Sequence, residues 1–270
     1  MLAAQTRPPD EIIISAPDPS HVEQIEPAAL HISYVFGRTG TTAQRNQALD
    51  KALASFEIVS FFDDDFLPAA DYLETVERLL GRNPDWTVPT GHVVLDGVHG
   101  VGYSIDEGVA ALAGAAAEKP TQEVRVAEHL GAYGCNMSMR TADIGEHRFD
   151  ERLPLYGWQE DIDFTRRIAK NGKIVGTNEL IGVHLGHKGG RVSGLRLGYS
   201  QIVNPVYLVR TGTMPLLFAL DLMARNLAAN AVKSFRPEPY VDRRGRLKGN
   251  LYALYHLLSG RIEPEYILKL

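Results

Sequence analysis

The stretch "VSFFDDDFLP", residues 59–68, decides how this chain is read. An apolar run stops at three adjacent carboxylates, Asp63, Asp64 and Asp65. With Ile58 in front of it, the run has the β-branched and aromatic content of a buried strand. Like charges at the end of such a strand are costly to leave unpaired, so the cluster asks for a cation. Oxygen ligands suit hard divalent ions such as Mn2+ or Mg2+, and magnesium commonly takes one or two carboxylates with substrate phosphates and water. A solvated acidic turn, or a cap by Asp65, answers the same residues without a metal.

Working outward, "EIIIS" (11–15) and "HISYVFG" (31–37) read as buried strands. "TTAQRNQALDKALAS" (41–55) has helical spacing behind the turn "GRTG". "AADYLETVERLLGRNP" (69–84) is an amphipathic helix with Gly81 and Pro84 as stop signals, and "WTVPTGHVVLD" (86–96) is strand-like. Strands alternating with helices predict an α/β domain with a mainly parallel sheet flanked by helices, Rossmann-like, with ligands at the carboxyl ends of the strands. The aspartates fall at such an end. Residues 97–130 read as a loop with a helix, and "GAYGCNMSMR" (131–140) as a strand or tight loop. Beyond residue 200 the pattern is helical.

The 270 residues are 44% apolar and 23% charged, enough for one large domain or a domain with an appendage. A net charge of -5 gives no argument for a nucleic-acid partner. Cys135 is the sole cysteine, which rules out an intramolecular disulfide and a thiolate zinc site and fits a cytoplasmic location. "MLAAQTRPPD" has no apolar core, so no signal peptide is expected. Asp221 and Arg225 interrupt the apolar stretch 213–232, so no spanning helix is expected there.

Two further clusters carry chemistry. "GWQEDIDF" (157–164) sets Glu160, Asp161 and Asp163 at a helix start after a Gly-aromatic turn, where a carboxylate can cap the helix or serve as a general base. "VHLGHKGGR" (183–191) brings His184 and His187 ahead of Lys188 and Arg191. Histidine completes metal shells, and a basic Gly-rich loop holds phosphates, although a lone histidine is more often structural.

In this order and at this spacing, the motifs "RPPDEIII", "GRTGTTAQRNQALDKA", "VSFFDDDFLP", "GCNMSMR", "GWQEDIDFTRRI" and "GVHLGHKGGR" resemble an inverting family 2 glycosyltransferase of GT-A fold. The resemblance covers residues 7 to 200, and the following "GRVSGLRLGYSQIVNPVYLVRTGT" looks like bacterial members that assemble polysaccharides. It implies a GT-A domain over residues 1–200 and a helical extension over 201–270. It implies a nucleotide-diphosphate sugar donor and a saccharide or lipid-linked acceptor. Asp63 would sit near the nucleotide, Asp65 would hold the divalent metal on the donor diphosphate, and Asp64 would support either. Asp161 would be the catalytic base, with Glu160 positioning the acceptor. Arg45 and Asn46 would pack near the nucleotide, His184 would contact the metal or diphosphate with His187 as second choice, and Arg191 would meet the phosphates. Trp158 either stacks on a sugar or packs in a core.

The chain departs from that family at its start. "LAAQT" resembles the end of the family's first helix, so the first strand is absent, and Ser15 stands where an acidic residue is usual. The expectation is a start set too late or a truncated gene product. At the other end, the apolar face of residues 213–234 and the basic "RRGRLKG" (243–249) fit either core packing or a peripheral position on the inner face of the cell membrane. The rival readings are a sugar-nucleotide-binding relic of the same fold, a metal-dependent nucleotidyltransferase and a metal-dependent hydrolase.

Overall fold

The β-branched runs at the start of the chain form β1 (Ile12–Ala16) and β2 (Ile32–Phe36), which pair parallel with Ile12 opposite Ile32. The protein is seen in a computed structural model that describes residues 1–23, 30–187 and 193–270. The chain continues through α1 (Thr41–Leu53), β3 (Ile58–Phe62), β4 (Phe66–Pro68), α2 (Tyr72–Arg82) and β5 (Trp86–Asp96). Then come α3 (Ile105–Glu118), β6 (Val126–Glu128), β7 (Asn136–Arg140), α4 (Thr141–Ile144), α5 (Glu160–Ile168) and β8 (Lys173–His184). Three long helices close it: α6 (Gly194–Thr211), α7 (Leu216–Lys233) and α8 (Arg243–Leu258).

The chain divides into two compact units. The first takes the described residues of Met1–Arg38, Gln44–Arg148 and Phe164–Lys188; the second takes those of Thr39–Ala43, Phe149–Asp163 and Gly189–Leu270.

The first unit is α/β, a central sheet flanked by helices. Its six-stranded sheet runs β3-β7-β5-β8-β4, with β6 added on β8, and β1–β2 form a separate two-stranded sheet. The expectation of a mainly parallel sheet needs correction. Among the described residues, β1 with β2 and β5 with β8 run parallel, and the other pairings are antiparallel. Parallel neighbours need a crossover of a dozen or more residues. β4 and β7 instead meet strands that are not their neighbours in sequence, β4 against β8 and β7 between β3 and β5, and run against them.

β8 is one strand of 12 residues and forms the spine of the sheet. Its side chains alternate between faces. Leu180 packs with Tyr72, Val76, Leu79 and Leu80 of α2, whose buried positions recur at helical spacing. Ile181, Val183 and Leu185 meet Leu112 of α3 on the other face. Each such side chain, fully buried, contributes roughly 1.5–3 kcal/mol. Between β5 and β7, the buried Asn136 amide takes over from the backbone ladder. It accepts from Thr90 Oγ1 at 2.5 Å and from the Gly91 amide at 3.1 Å.

The second unit is mainly helical. α6 and α8 approach so closely that a Cβ on Gly198 would stand 2.1 Å from the Arg246 carbonyl, so only glycine fits there. A buried amide network fixes the register of the three helices. Asn230 Nδ2 donates to Gln201 Oε1 and to Asn250 Oδ1, both at 2.8 Å, and Asn250 Nδ2 donates to the Gly198 carbonyl at 2.7 Å.

Candidate functional site

β3 ends at Phe62, and the chain turns through Asp63, Asp64 and Asp65 into β4. The turn is pinned by backbone bonds: the Phe66 amide donates to the Asp63 carbonyl at 3.0 Å, and the Leu185 amide to the Asp65 carbonyl at 3.0 Å. β4 pairs with the end of β8 so that Phe66 faces His184 in the register. That pairing carries the carboxylates to the histidine. Asp63, Asp65 and His184 each offer a ligand atom, and these atoms all lie within 4.8 Å of one another.

Every member of this trio has a defined partner. Arg45 Nη2 donates to Asp63 Oδ1 at 2.9 Å and to the Gly134 carbonyl at 3.0 Å. Asp65 faces His184 Nε2 at 3.3 Å through Oδ1 and accepts the His187 amide at 2.7 Å through Oδ2. The latter bond depends on Gly186, whose φ of +72° turns the loop back and which L side chains rarely adopt. His184 Nδ1 lies 3.0 Å from Asp96 Oδ1, and the Tyr133 hydroxyl donates to Asp96 Oδ2 at 3.0 Å.

The charges follow from this geometry. Burial works to lower the pKa of His184, but its hydrogen bonds to Asp65 and Asp96 outweigh that and push it up to about 9. Burial works to raise Asp65 as well; the bonds from His184 and the His187 amide outweigh it and hold the carboxyl below its ordinary range. Asp64 is exposed, yet its carboxyl is pushed above the ordinary range, first by lost hydration and then by the charges of Asp65 and Asp63. Without a metal the trio is therefore an imidazolium among carboxylates.

Two carboxylates and one imidazole form a donor set that a divalent cation accepts. Asp96 on the second ring nitrogen is the outer partner that orients a metal-bound histidine. The residues fit the group: Asp63, Asp65 and His184 would hold Mn2+ or Mg2+. Asp96 and Tyr133 escaped the sequence reading. Asp96 ends its strand as Asp63 ends β3, so the rule that singled out the triple aspartate applied to it too.

The remaining candidates are placed as follows. Asn46 is buried in α1, next to Arg45 in sequence. Glu160 is buried at the first residue of α5; Asp161 follows, and its Oδ1 accepts from the Ile162 amide at 2.8 Å. The turn ahead of them is unusual, with φ of +69° at Gly157 and +76° at Gln159, a conformation that is costly for a glutamine. Trp158 is half-buried, and its carbonyl accepts from Asn204 Nδ2 at 2.9 Å. Asp163, third of that acidic group, is buried and accepts from Thr213 Oγ1 at 2.9 Å, a structural tie. Arg191 and Lys188 lie outside the described residues.

No protein-family model matches the chain. No curated protein matches it either. Among solved structures it is similar to the mannosyltransferase PcManGT from Pyrobaculum calidifontis in complex with GDP-Man and Mn2+, at 16% identity and a TM-score of 0.47, over 99% of this chain and 79% of that one. It is similar to GalNAc-T7 with UDP, GalNAc and Mn2+, at 12% identity and 0.40, over 89% of this chain and 44% of that one. A197 from STIV resembles it at 18% identity and 0.39, over 57% and 72% of the two chains. At these scores and identities, the functional reading rests on the chain's own residues.

Among the described residues no helix is long and apolar enough to cross a membrane.

Proposed function

We propose that this protein is a metal-dependent glycosyltransferase of GT-A type that moves a sugar from a nucleoside-diphosphate donor to an acceptor hydroxyl. The observation that carries the reading is the convergence of Asp63, Asp65 and His184 within 4.8 Å at the end of β3. The ordered motifs around it, set out above, give it the character of an inverting, family 2, hexosyl-type enzyme of cell-surface polysaccharide or glycoconjugate assembly.

When bound, a divalent cation supplies positive charge to the departing diphosphate. The chain's residues do the rest. Asp63, held by Arg45, sits toward the nucleotide, with Asn46 packing near the nucleotide and Asp64 in support. Arg191 and the loop after His184 meet the diphosphate. Asp161 takes the proton of the acceptor hydroxyl as that oxygen attacks the anomeric carbon. Glu160 orients the acceptor and Trp158 covers a sugar face. One displacement from the opposite side inverts the anomeric centre. The acceptor is a saccharide or a lipid-linked one, and the reaction belongs to the cytoplasm at the inner face of the membrane.

The test is calorimetric titration of the chain with UDP, GDP and dTDP, each with and without Mn2+. Binding that needs the metal and disappears in Asp65→Ala supports the reading. A folded chain that binds none of the three with Mn2+ present would overturn it.

A further inference from the structure

Among the described residues, ten of the twenty exposed large hydrophobic side chains lie between Leu216 and Leu258. They are ordered rather than scattered. On α7, Leu217, Leu220, Ala224, Ala228 and Val232 recur at spacings of three and four, which sets them on one face of the helix. All five are exposed, and Leu217 and Val232 keep 81% and 71% of their surface in solvent. The stripe leads to Phe235, 84% exposed just past the helix end. On α8, Arg244, Lys248, Leu251, Tyr255 and Leu258 form a second exposed stripe, basic at its start and apolar at its end. An open groove of about 450 Å³ between the segment after α7 and the first turns of α8 is lined by Phe235, Leu247, Leu251, Arg244, Lys248 and Ser234. Exposed apolar surface concentrated in this way marks an interaction site.

Charge selects the occupant. The acidic side chains here are engaged: Glu238 pairs with Lys233 at 2.7 Å and Arg243 at 2.9 Å, Asp221, which falls within the α7 stripe, pairs with Arg225, and Asp242 accepts the Gly245 amide at 2.7 Å. Arg244 and Lys248 face the groove in a chain whose net charge is -5, so the local positive field opposes the overall balance. A second copy docked symmetrically on the same face would set these cations against their own images. An anionic bilayer supplies the matching sign to the basic end and an acyl boundary to the apolar remainder.

We propose that the α7–α8 face docks on an anionic membrane surface, with Phe235, Leu251 and Leu258 entering the acyl boundary and Arg244 and Lys248 holding lipid phosphates. The helices lie on the bilayer and do not span it. This inference deepens the membrane placement in the glycosyltransferase reading, and its failure is distinguishable from a failure of that reading because it rests on none of the residues near Asp65.

The test is co-sedimentation of the full chain with phosphatidylcholine vesicles and with vesicles that also contain phosphatidylglycerol. Binding to the anionic vesicles, weakened by salt, is expected. Arg244→Glu with Lys248→Glu weakens it by about thirtyfold or more, since each basic residue near the surface counts for about a factor of five. Phe235→Ser with Leu258→Ser abolishes it. These positions are exposed, and Mn2+-dependent nucleotide titration and circular dichroism serve as folding controls. As a second measurement, Leu258→Cys carrying a polarity-sensitive dye shifts to the blue on anionic vesicles; the native Cys135 is buried. Equal binding to neutral and anionic vesicles overturns the proposal, as does no binding, or variants that bind like the parent. A vesicle-free dimer that Phe235→Ser with Leu258→Ser dissociates also overturns it and assigns the face to a second copy.

Discussion

The imidazole of His184 turns its Nδ1 to Asp96 at 3.0 Å, and this leaves Nε2 on the side of Asp65. A carboxylate on one nitrogen fixes the tautomer and orientation of the other, the arrangement that strengthens a metal-bound histidine. Asp96→Ala should therefore weaken Mn2+ binding by about ten- to a hundredfold without touching a metal ligand. Electron paramagnetic resonance of free Mn2+ measures this directly. An unchanged affinity removes Asp96 from the role.

The same histidine makes the site respond to pH. Its pKa of about 9 in the folded chain lies above the ordinary 6.5, so the folded state holds the proton more tightly. Without metal, the stabilisation is complete below about pH 6.5 and is lost as pH rises through about 9. Asp65 and Asp96, held below the ordinary carboxylate range, act the other way: they stabilise at neutral pH and cease to as acid protonates them. Urea denaturation in EDTA across pH 6 to 10 should show the alkaline loss, and His184→Gln should flatten it.

Metal binding competes with that proton. A ligating imidazole must be neutral, so Mn2+ affinity should rise with pH up to about 9 and level off beyond it. Calorimetry at pH 7 in buffers of different ionisation enthalpy should reveal about one proton released per ion bound. No release would count against either the raised pKa of His184 or its place in the metal shell.

Asp161 and Asp65 should fail in different ways. Asp161→Asn keeps metal-dependent donor binding and lowers transfer by at least about 100-fold, within the range that one general base contributes. Asp65→Ala loses the donor itself. Nucleotide titration beside a transfer assay separates them, and loss of nucleotide binding in Asp161→Asn would count against its role as base.

The helical unit depends on its amides. Asn250 is fully buried and satisfies both Gly198 and Asn230. Asn250→Leu removes one of the two acceptors of Asn230 Nδ2 and a side-chain donor to the Gly198 carbonyl, a loss of about 1–3 kcal/mol in all. A lower thermal midpoint, with nucleotide binding kept at low temperature, is the expected result.

Much of the first unit was legible because its signals are local. The apolar runs at 11–15, 57–62 and 86–96 became β1, β3 and β5, and the period of α2 named its own buried face. Ser104 and Glu107 form a capping box that starts α3, a spacing of three that was readable in residues read as a loop with a helix. Strand direction was not readable, since it depends on which distant strand each segment meets. Asp96 stood readable at a strand end, but its pairing with a histidine 88 residues away was not. The triple aspartate announced itself by charge; the tyrosine and carboxylate behind His184 are ordinary residues until the sheet brings them together.

The loop that delivers the His187 amide to Asp65 joins residues 122 positions apart, and β4 meets β8 over a similar span. Contacts of such long range require a large loop to close, at an entropic cost. The Asp63–Asp65–His184 trio exists only where that part of the sheet has closed. An ion that binds only the closed form would slow unfolding more than it speeds folding. In the cell, the availability of divalent cations would then set how long a molecule lasts once made, as well as whether it can act.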